Sequence, residues 1–192
     1  MKRSAINQAF REASECFARQ HWALPPAPRW DITDFGLGDF CHYGLTLINL
    51  SEELEYCEKL MYASKAQITP AHAHVRKKED IICRSGQLTL ELWAGHPQRT
   101  PDGTEFAAKV NGQWCPLQSG EKLRLEPGER ITLTPNIYHS FWASADDTII
   151  GEVSTANDDD GDNLFVDPGI GRFPGIEEDE AAQVRLISEG QA

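Results

Sequence analysis

The hydrophobic and polar positions along the chain predict one helix followed by many short strands. Apolar residues at helical spacing place one face of a helix over residues 4–19 against the core, and Ser4 is expected to cap that helix. From Gly44 onward the pattern changes to the two-residue alternation of strands. Turn signals separate these strands at Asn111-Gly112, Pro127-Gly128 and Pro135-Asn136. This succession predicts an antiparallel all-β sandwich or barrel with one leading helix.

Several stretches interrupt the alternation. Three prolines between residues 25 and 28 exclude regular structure there, so residues 1–43 are expected to form an N-terminal helix and a proline-rich connection. These would pack on a barrel domain formed by residues 44–192. Residues 96–111 resemble a polar insertion. Near the C-terminus, residues 176–189 begin with acids, which suits the start of a short helix. The acidic stretch that precedes this segment is interpreted as a solvated loop, and its acids are Asp158, Asp159, Asp160 and Asp162.

Length and charge limit the classes of function. A chain of 192 residues is long enough for one domain with a substantial core. Of the formal charge of −12, −11 falls from Asp146 onward, which leaves the main body nearly neutral and without a basic surface for nucleic acid. The basic start Met1-Lys2-Arg3-Ser4 is not followed by an apolar segment, so neither a signal peptide nor a membrane span is expected.

The cysteines indicate a reducing compartment. There are five, an odd number, scattered along the chain without a CxxC pair. Such a set is typical of reduced thiols in a cytoplasmic protein and offers no cysteine zinc site.

Candidate chemistry is concentrated in the stretch that begins at Pro70. His72 and His74 share a face if the backbone is extended, and Glu79 can rejoin that face after a short turn. Imidazole and carboxylate together suit a divalent first-row metal. The sequence therefore predicts a metal site formed by His72, His74 and Glu79, with His139 from a distant strand as the fourth ligand.

The spacing H-x-H-x4-E-x6-G, closed by Gly86, resembles the first motif of the cupin superfamily. A second motif follows in weaker form, with Gly128, Pro135 and His139 in the expected order and Asn136 in place of the usual glycine. Asn tolerates the left-handed backbone that such a turn needs. The resemblance implies a double-stranded β-helix, the cupin jelly-roll barrel, with an N-terminal helix, a short C-terminal segment and a metal inside the barrel.

Further segments resemble the cupin-type D-lyxose isomerases over residues 45–180. The matching segments are Tyr56-Cys57-Glu58-Lys59, Thr132-Leu133-Thr134-Pro135, Tyr138-His139-Ser140-Phe141-Trp142, Gly151-Glu152-Val153-Ser154 and Ile176-Glu177-Glu178-Asp179-Glu180. The resemblance implies an aldose–ketose isomerase that prefers Mn2+ and converts D-lyxose to D-xylulose through an enediol(ate), with D-mannose and D-fructose as a second pair. It also implies a homodimer.

Two residues are candidates for proton transfer. Lys77 shares the face of Glu79 if the backbone is extended, and the resemblance favours a role in stabilising an oxyanion or relaying a proton; the alternative is a solvated hairpin charge. Glu177 is the candidate base, because the acidic ending could fold over the barrel mouth. Glu178 is not distinguished from it, and a solvated helix start is the alternative.

Two other functions remain compatible with the same residues. Three histidines and a glutamate also hold iron or nickel in cupin dioxygenases, and Fe, Co, Ni or Zn could replace Mn in an isomerase. A cupin of this kind could also bind sugar without converting it.

Overall fold

The computed structural model describes residues 1–155, 158, 161–171 and 175–190. Within those residues the chain forms one α-helix, thirteen strands and a terminal 3-10 helix. In chain order these are α1 (Arg3–Arg19), β1 (Arg29–Thr33), β2 (Leu45–Glu52), β3 (Tyr56–Ala63), β4 (Ile68–His74), β5 (Glu79–Ser85), β6 (Leu88–Trp93), β7 (Glu105–Val110), β8 (Gln113–Gln118), β9 (Glu121–Leu125), β10 (Arg130–Leu133), β11 (Tyr138–Ala143), β12 (Thr148–Thr155), β13 (Asn163–Phe165) and the 3-10 helix (Ile187–Glu189).

The strands form two antiparallel sheets that enclose the main core. The large sheet has the order β1-β2-β3-β12-β5-β10-β7-β8, and the small sheet has the order β13-β4-β11-β6-β9. Both contribute to one apolar cluster, for example through Leu90 of the small sheet and Ile131 of the large sheet. This arrangement confirms the predicted all-β barrel of the cupin type with a single leading helix.

Helix α1 covers the outer face of the large sheet. Its buried side chains, including Ile6, Ala13 and Phe17, pack with Ile48 of β2 and Leu60 of β3 in a second apolar cluster. Leu45 of β2 points to the opposite face and joins the main core, as the alternation of side chains along a strand requires. The barrel interior and the helix therefore lie on opposite sides of this sheet.

The start of α1 differs from the prediction. The helix begins at Arg3 with Lys2 as the N-cap residue, and Ser4 does not cap it. Instead, Asp179 from the C-terminal segment accepts hydrogen bonds from the Ser4 backbone N–H at 2.8 Å and from the Ser4 hydroxyl at 2.7 Å. A carboxylate brought by the far end of the chain thus replaces a local cap.

Three segments differ from the sequence-based expectations. Strand β1 lies within the segment predicted as helix and connection, and pairs with β2 at the edge of the large sheet. Strand β7 lies within the predicted polar insertion and pairs with both β8 and β10. The predicted C-terminal helix is wrong: residues 176–190 are largely irregular and end in a single 3-10 turn.

The C-terminal segment is not helical because its carboxylates are bound by the start of α1. The guanidinium of Arg3 is fully buried and contacts both Glu178 and Glu189 at 2.6 Å. A buried charge requires such partners. In a regular helix over residues 176–189, Glu178 and Glu189 would lie about 16 Å apart along the helix axis, too far apart to bind one guanidinium.

The conformation at two motif positions explains their residue types. Gly86 has φ of 72°, and a Cβ atom there would lie 2.7 Å from the Cα of Thr148 and even closer to its hydroxyl, so no other residue fits. Asn136 has φ of 67°, which confirms that asparagine serves the left-handed turn. No helix in the described part of the chain is long and apolar enough to cross a membrane.

Candidate active site

Two neighbouring strands of the small sheet bring three histidines together. His72 and His74 are two residues apart on β4 and point to the same side of the strand. Strand β11 pairs with β4 so that His139 lies directly opposite His72. All three imidazoles are buried, and one ring nitrogen from each lies within 4.8 Å of the other two.

Glu79 reaches the same cluster from the opposite sheet. It is the first residue of β5, after the turn at residues 75–78 has carried the chain from the small sheet to the large one. Its Oε1 lies 3.3 Å from Nε2 of His74 and 3.2 Å from Nε2 of His139. The four predicted ligands are therefore brought together between the two sheets.

Backbone carbonyls orient two of the imidazoles. Nδ1 of His72 lies 2.8 Å from the Pro70 carbonyl oxygen, and Nδ1 of His139 lies 3.2 Å from that of Ile137. Each Nδ1–H donates to its carbonyl, which leaves the lone pair on Nε2 directed toward the cluster. Burial, together with the neighbouring His139 and His74, holds the pKa of His72 well below its usual value, so this imidazole is neutral at physiological pH.

Unpartnered atoms at the centre of the cluster fit a bound cation. Nε2 of His139 and Oε1 of Glu79 are buried and have no hydrogen-bond partner among the described residues. Such atoms are rare in folded proteins because leaving them unpaired is unfavourable. A divalent metal would accept electron pairs from both, and a donor set of imidazole nitrogen and carboxylate oxygen suits a first-row ion.

Lys77 connects Glu79 to a second buried acid. Its ammonium lies 2.9 Å from Oε2 of Glu79 and 2.9 Å from Oε1 of Glu152, and the side chain is only 6% exposed. The alternative of a solvated hairpin charge is therefore wrong. Burial alone would lower the pKa of Lys77, but the two carboxylates outweigh it and raise the pKa above its usual value. Lys77 is thus a cation at neutral pH and donates a hydrogen bond to Glu152.

Glu79 remains ionised for the complementary reason. Burial by itself would raise the pKa of its carboxyl group. The adjacent Lys77 ammonium outweighs this and holds the pKa well below its usual value.

Glu152 is a site residue to which sequence reasoning assigned no role. It lies on β12 between Ile150 and Ser154 on the inward face, opposite Lys59 of β3 and Ile81 of β5. Its side chain is 8% exposed, and its carboxylate also lies 4.0 Å from the Lys59 ammonium. The available signal was an acid two residues after the apolar Ile150 in a strand whose side chains alternate.

Asp162 was interpreted as a solvated loop residue, and this interpretation is wrong. It is 3% exposed and accepts hydrogen bonds from the backbone N–H groups of Arg76 at 2.8 Å and Lys77 at 2.9 Å. Its Oδ2 also lies 3.9 Å from Nδ1 of His74. Asp162 therefore holds the turn that carries Lys77. Of the neighbouring acids, Asp158 pairs with Arg76 on the surface, whereas Asp159 and Asp160 lie outside the described residues.

Glu177, the base predicted from the sequence, lies outside the histidine cluster. Its backbone bonds to Met1 and Arg3, and its exposed carboxylate lies 3.9 Å from the Lys2 ammonium. These contacts place it beside the start of α1, on the outer side of the large sheet. Glu178 is bound by Arg3 in the same region. The described contacts thus bring neither acid to the histidine cluster or the expected barrel mouth.

Comparison with known proteins bears on the family of this chain. The model of the D-lyxose isomerase family matches residues 27–190. The chain is 38% identical to the D-lyxose/D-mannose isomerase of Escherichia coli O157:H7, with 98% of each chain covered. It is 41% identical to the D-lyxose/D-mannose isomerase of Serratia proteamaculans, with 98% of this chain and 97% of that protein covered.

Among solved structures, the fold is similar to that of Cellulomonas parahominis L-ribose isomerase with L-ribose, at a TM-score of 0.67 and 16% identity. The match covers 92% of this chain and 98% of that chain, and at this identity it bears on the fold alone. The family match and the relatives that span nearly the whole chain decide the family. The chain belongs to the D-lyxose isomerase family.

Proposed function

We propose that this protein is a metal-dependent aldose–ketose isomerase that interconverts D-lyxose and D-xylulose, with D-mannose and D-fructose as a second pair. The observation that carries this assignment is the Lys77 ammonium between Glu79 and Glu152, beside three clustered histidines. Such a group combines candidate metal ligands with a proton donor and a carboxylate in one buried site. The names of the relatives from Escherichia coli and Serratia proteamaculans supply the sugars.

His72, His74, Glu79 and His139 are the proposed metal ligands, and Mn2+ is the proposed metal. When bound, a divalent ion supplies Lewis acidity, which favours negative charge on the oxygens of sugar C1 and C2. Fe, Co, Ni and Zn accept the same donor types, so each is included in the assay below.

Lys77 is the proposed donor to the sugar oxygens. Moving the carbonyl between C1 and C2 places negative charge on an oxygen, and an ammonium that stays protonated in a buried site stabilises that charge more strongly than water does. Lys77 is also held in place, because both its ammonium and its backbone N–H are bound. It therefore donates without a large reorganisation.

Glu152 is the proposed base, in the role for which the sequence had suggested Glu177. The carboxylate takes the proton from C2 while the electrons of that C–H bond form the C1–C2 double bond of an enediolate. The same carboxyl group then returns a proton to C1, while Lys77 gives a proton to the C1 oxygen and takes up the proton of the C2 hydroxyl. The carbonyl is thus left on C2 and a hydroxyl on C1, which produces the ketose. Glu152 is buried beside Lys77, so the proposed base and the proposed donor are held together through both steps.

A homodimer in the cytoplasm is the proposed assembly and location. Exposed Tyr56 on β3 and Val153 on the adjacent β12 provide apolar surface on the outer face of the large sheet. The described cysteines are free thiols, three of them buried, which suits a reducing compartment. Sedimentation equilibrium at micromolar concentration tests the oligomeric state.

The decisive test of the proposed reaction is an anaerobic assay of the chelated and reloaded protein. With Mn2+ present, D-lyxose should give D-xylulose without oxygen, and a pentose and hexose panel with the other four metals ranks substrates and ions. Turnover that requires O2 and yields no ketose would identify a dioxygenase instead. Binding of D-lyxose without any ketose after hours would identify a sugar-binding protein.

A further inference from the structure

Two buried polar atoms near the candidate site have no role in the reaction proposed above. Oδ1 of Asn49 and Oγ of Ser154 have no hydrogen-bond partner among the described residues. Both residues are at least nine-tenths buried. Buried polar atoms without partners are destabilising, so their presence at a barrel wall calls for a ligand that pairs with them.

The strand register places these atoms beside the reacting groups. Ser154 on β12 lies opposite Glu79 of β5, and two residues earlier Glu152 lies opposite Lys59 of β3. Strand β3 lies between β12 and β2, and on its β2 side Lys59 lies opposite Asn49. Because side chains alternate along a strand, all five residues point to the inner face of the large sheet. They form a polar band that runs from the metal ligands across β12 and β3 to β2.

The chemistry of this band suits a chain of hydroxyl groups. An open-chain pentose has hydroxyls at C3, C4 and C5 beyond the two carbons that react, and each hydroxyl can both donate and accept. Asn49 Oδ1 is an acceptor, Ser154 Oγ is both donor and acceptor, and the Lys59 ammonium is a donor.

We propose that Asn49 and Ser154, with Lys59 between their strands, form the subsite that binds the distal hydroxyls of the sugar. This assignment rests on the proposed function, because it presumes that C1 and C2 lie at Lys77 and Glu152. The subsite accepts a polyhydroxylated carbon chain and does not take part in proton transfer.

Ser154→Ala tests the subsite, because binding and stability should change in opposite senses. The variant removes a hydroxyl that has no partner in the free protein, so the melting temperature of the metal-free protein should rise by about 1–4 °C. The same hydroxyl contributes a hydrogen bond to the bound sugar. The Kd for D-arabinitol, the polyol obtained by reducing D-lyxose, should therefore increase about three- to tenfold in the metal-loaded protein.

Ser119→Ala is the matched control. Ser119 is also buried, in the turn between β8 and β9, but its hydroxyl accepts a hydrogen bond from the Ala94 backbone N–H at 3.0 Å. Its removal should lower the melting temperature and leave the Kd for D-arabinitol unchanged. Calorimetric titration with the polyol measures binding without any turnover.

The possible outcomes separate the subsite from the reaction. A higher melting temperature together with weaker polyol binding in Ser154→Ala supports the subsite, even if the wild-type protein forms no D-xylulose. An unchanged Kd in Ser154→Ala, or a lower melting temperature like that of the control, overturns it even if the protein is an active isomerase. A wild-type, metal-loaded protein that binds neither D-lyxose nor D-arabinitol overturns both.

Discussion

The ammonium of Lys77 lies 2.9 Å from the carboxylate of Glu152, a residue 75 positions later in the chain. The same ammonium lies 2.9 Å from Glu79. One cation thus connects an acid that belongs with the histidines to an acid that does not. This contact links the candidate metal ligands to the candidate proton-transfer groups, and the first two predictions concern it.

Lys77→Met should abolish isomerisation and destabilise the metal-free protein. The substitution keeps most of the side chain but removes the ammonium between two buried carboxylates, which leaves Glu152 with only the more distant Lys59, at a cost of about 3 kcal/mol in the free energy of unfolding. Turnover should fall by about 10²-fold or more, because the donor to the sugar oxygen is lost. Chemical denaturation and a coupled D-xylulose assay measure the two effects.

Lys78→Met is the control for this experiment. Lys78 is the next residue in the same turn, and its side chain is exposed. It should retain both stability and turnover, since exposed substitutions change stability little. Equal losses of stability and turnover in the two variants would show that the position of Lys77 between the two carboxylates is not the cause of either effect.

Glu152→Gln should slow proton transfer without loss of metal. An amide has nearly the same shape as the carboxylate but cannot take up the C2 proton, so kcat should fall by about 10²- to 10⁴-fold. In D2O, exchange of the C2 hydrogen of D-lyxose should slow by the same factor, as followed by NMR. Glu58→Gln, on the outward face of the adjacent strand, should have no such effect. Unchanged hydrogen exchange in Glu152→Gln would exclude Glu152 as the base.

His72→Ala should lose both metal and activity, whereas His96→Ala should keep both. His72 is buried in the cluster, whereas His96 lies in the segment between β6 and β7 and contacts Tyr138. Substitution of a residue that only supports a metal ligand typically weakens metal binding about 10- to 100-fold. Removal of the ligand itself should weaken metal binding at least as much. Elemental analysis after dialysis measures the metal; loss from the His96 variant alone would show that the ligand set is different.

Glu189→Gln should weaken the attachment of the C-terminal segment to α1. Glu189 accepts two hydrogen bonds from the buried Arg3 guanidinium, at 2.6 and 3.1 Å. These bonds, which outweigh the opposing effect of burial, lower the pKa of Glu189 to about 2. At pH 7 the variant should melt about 5 °C below the wild type. Glu178→Gln should have a smaller effect, because Glu178 is more exposed.

The effect of Glu189 should depend on pH in a defined direction. In the unfolded chain a glutamate titrates near its usual pKa of about 4.3, so the unfolded state takes up the proton first as the pH falls. The stabilisation is therefore complete above about pH 5 and is lost as the pH falls from about 4.5 toward 2. The melting temperatures of wild type and Glu189→Gln should converge in acid, and a constant difference down to pH 3 would contradict this origin.

The parts that the sequence by itself determined are those that depend on local geometry. His72 and His74 share a face because side chains alternate along a strand, and the turn before Glu79 returns the chain to them. Gly86 and Asn136 were identified through the resemblance to the cupin motifs, and both occupy left-handed positions that few residues adopt. The alternation and turn signals likewise predicted an antiparallel sandwich or barrel with one leading helix, since both are properties of neighbouring residues.

Tertiary structure alone decided which acids lie in the candidate site. Glu152 is one of 30 acidic residues, and only the pairing of β12 with β3 and β5 places it beside Lys77. Asp162 was taken for a solvated loop residue because its partners are backbone N–H groups 85 and 86 positions earlier. The local sequence pattern does not encode such contacts. They become favourable only when distant segments are buried together, because a buried charge must then be paired. For the same reason the acids near Glu177, which resemble the start of a helix, instead bind the buried Arg3.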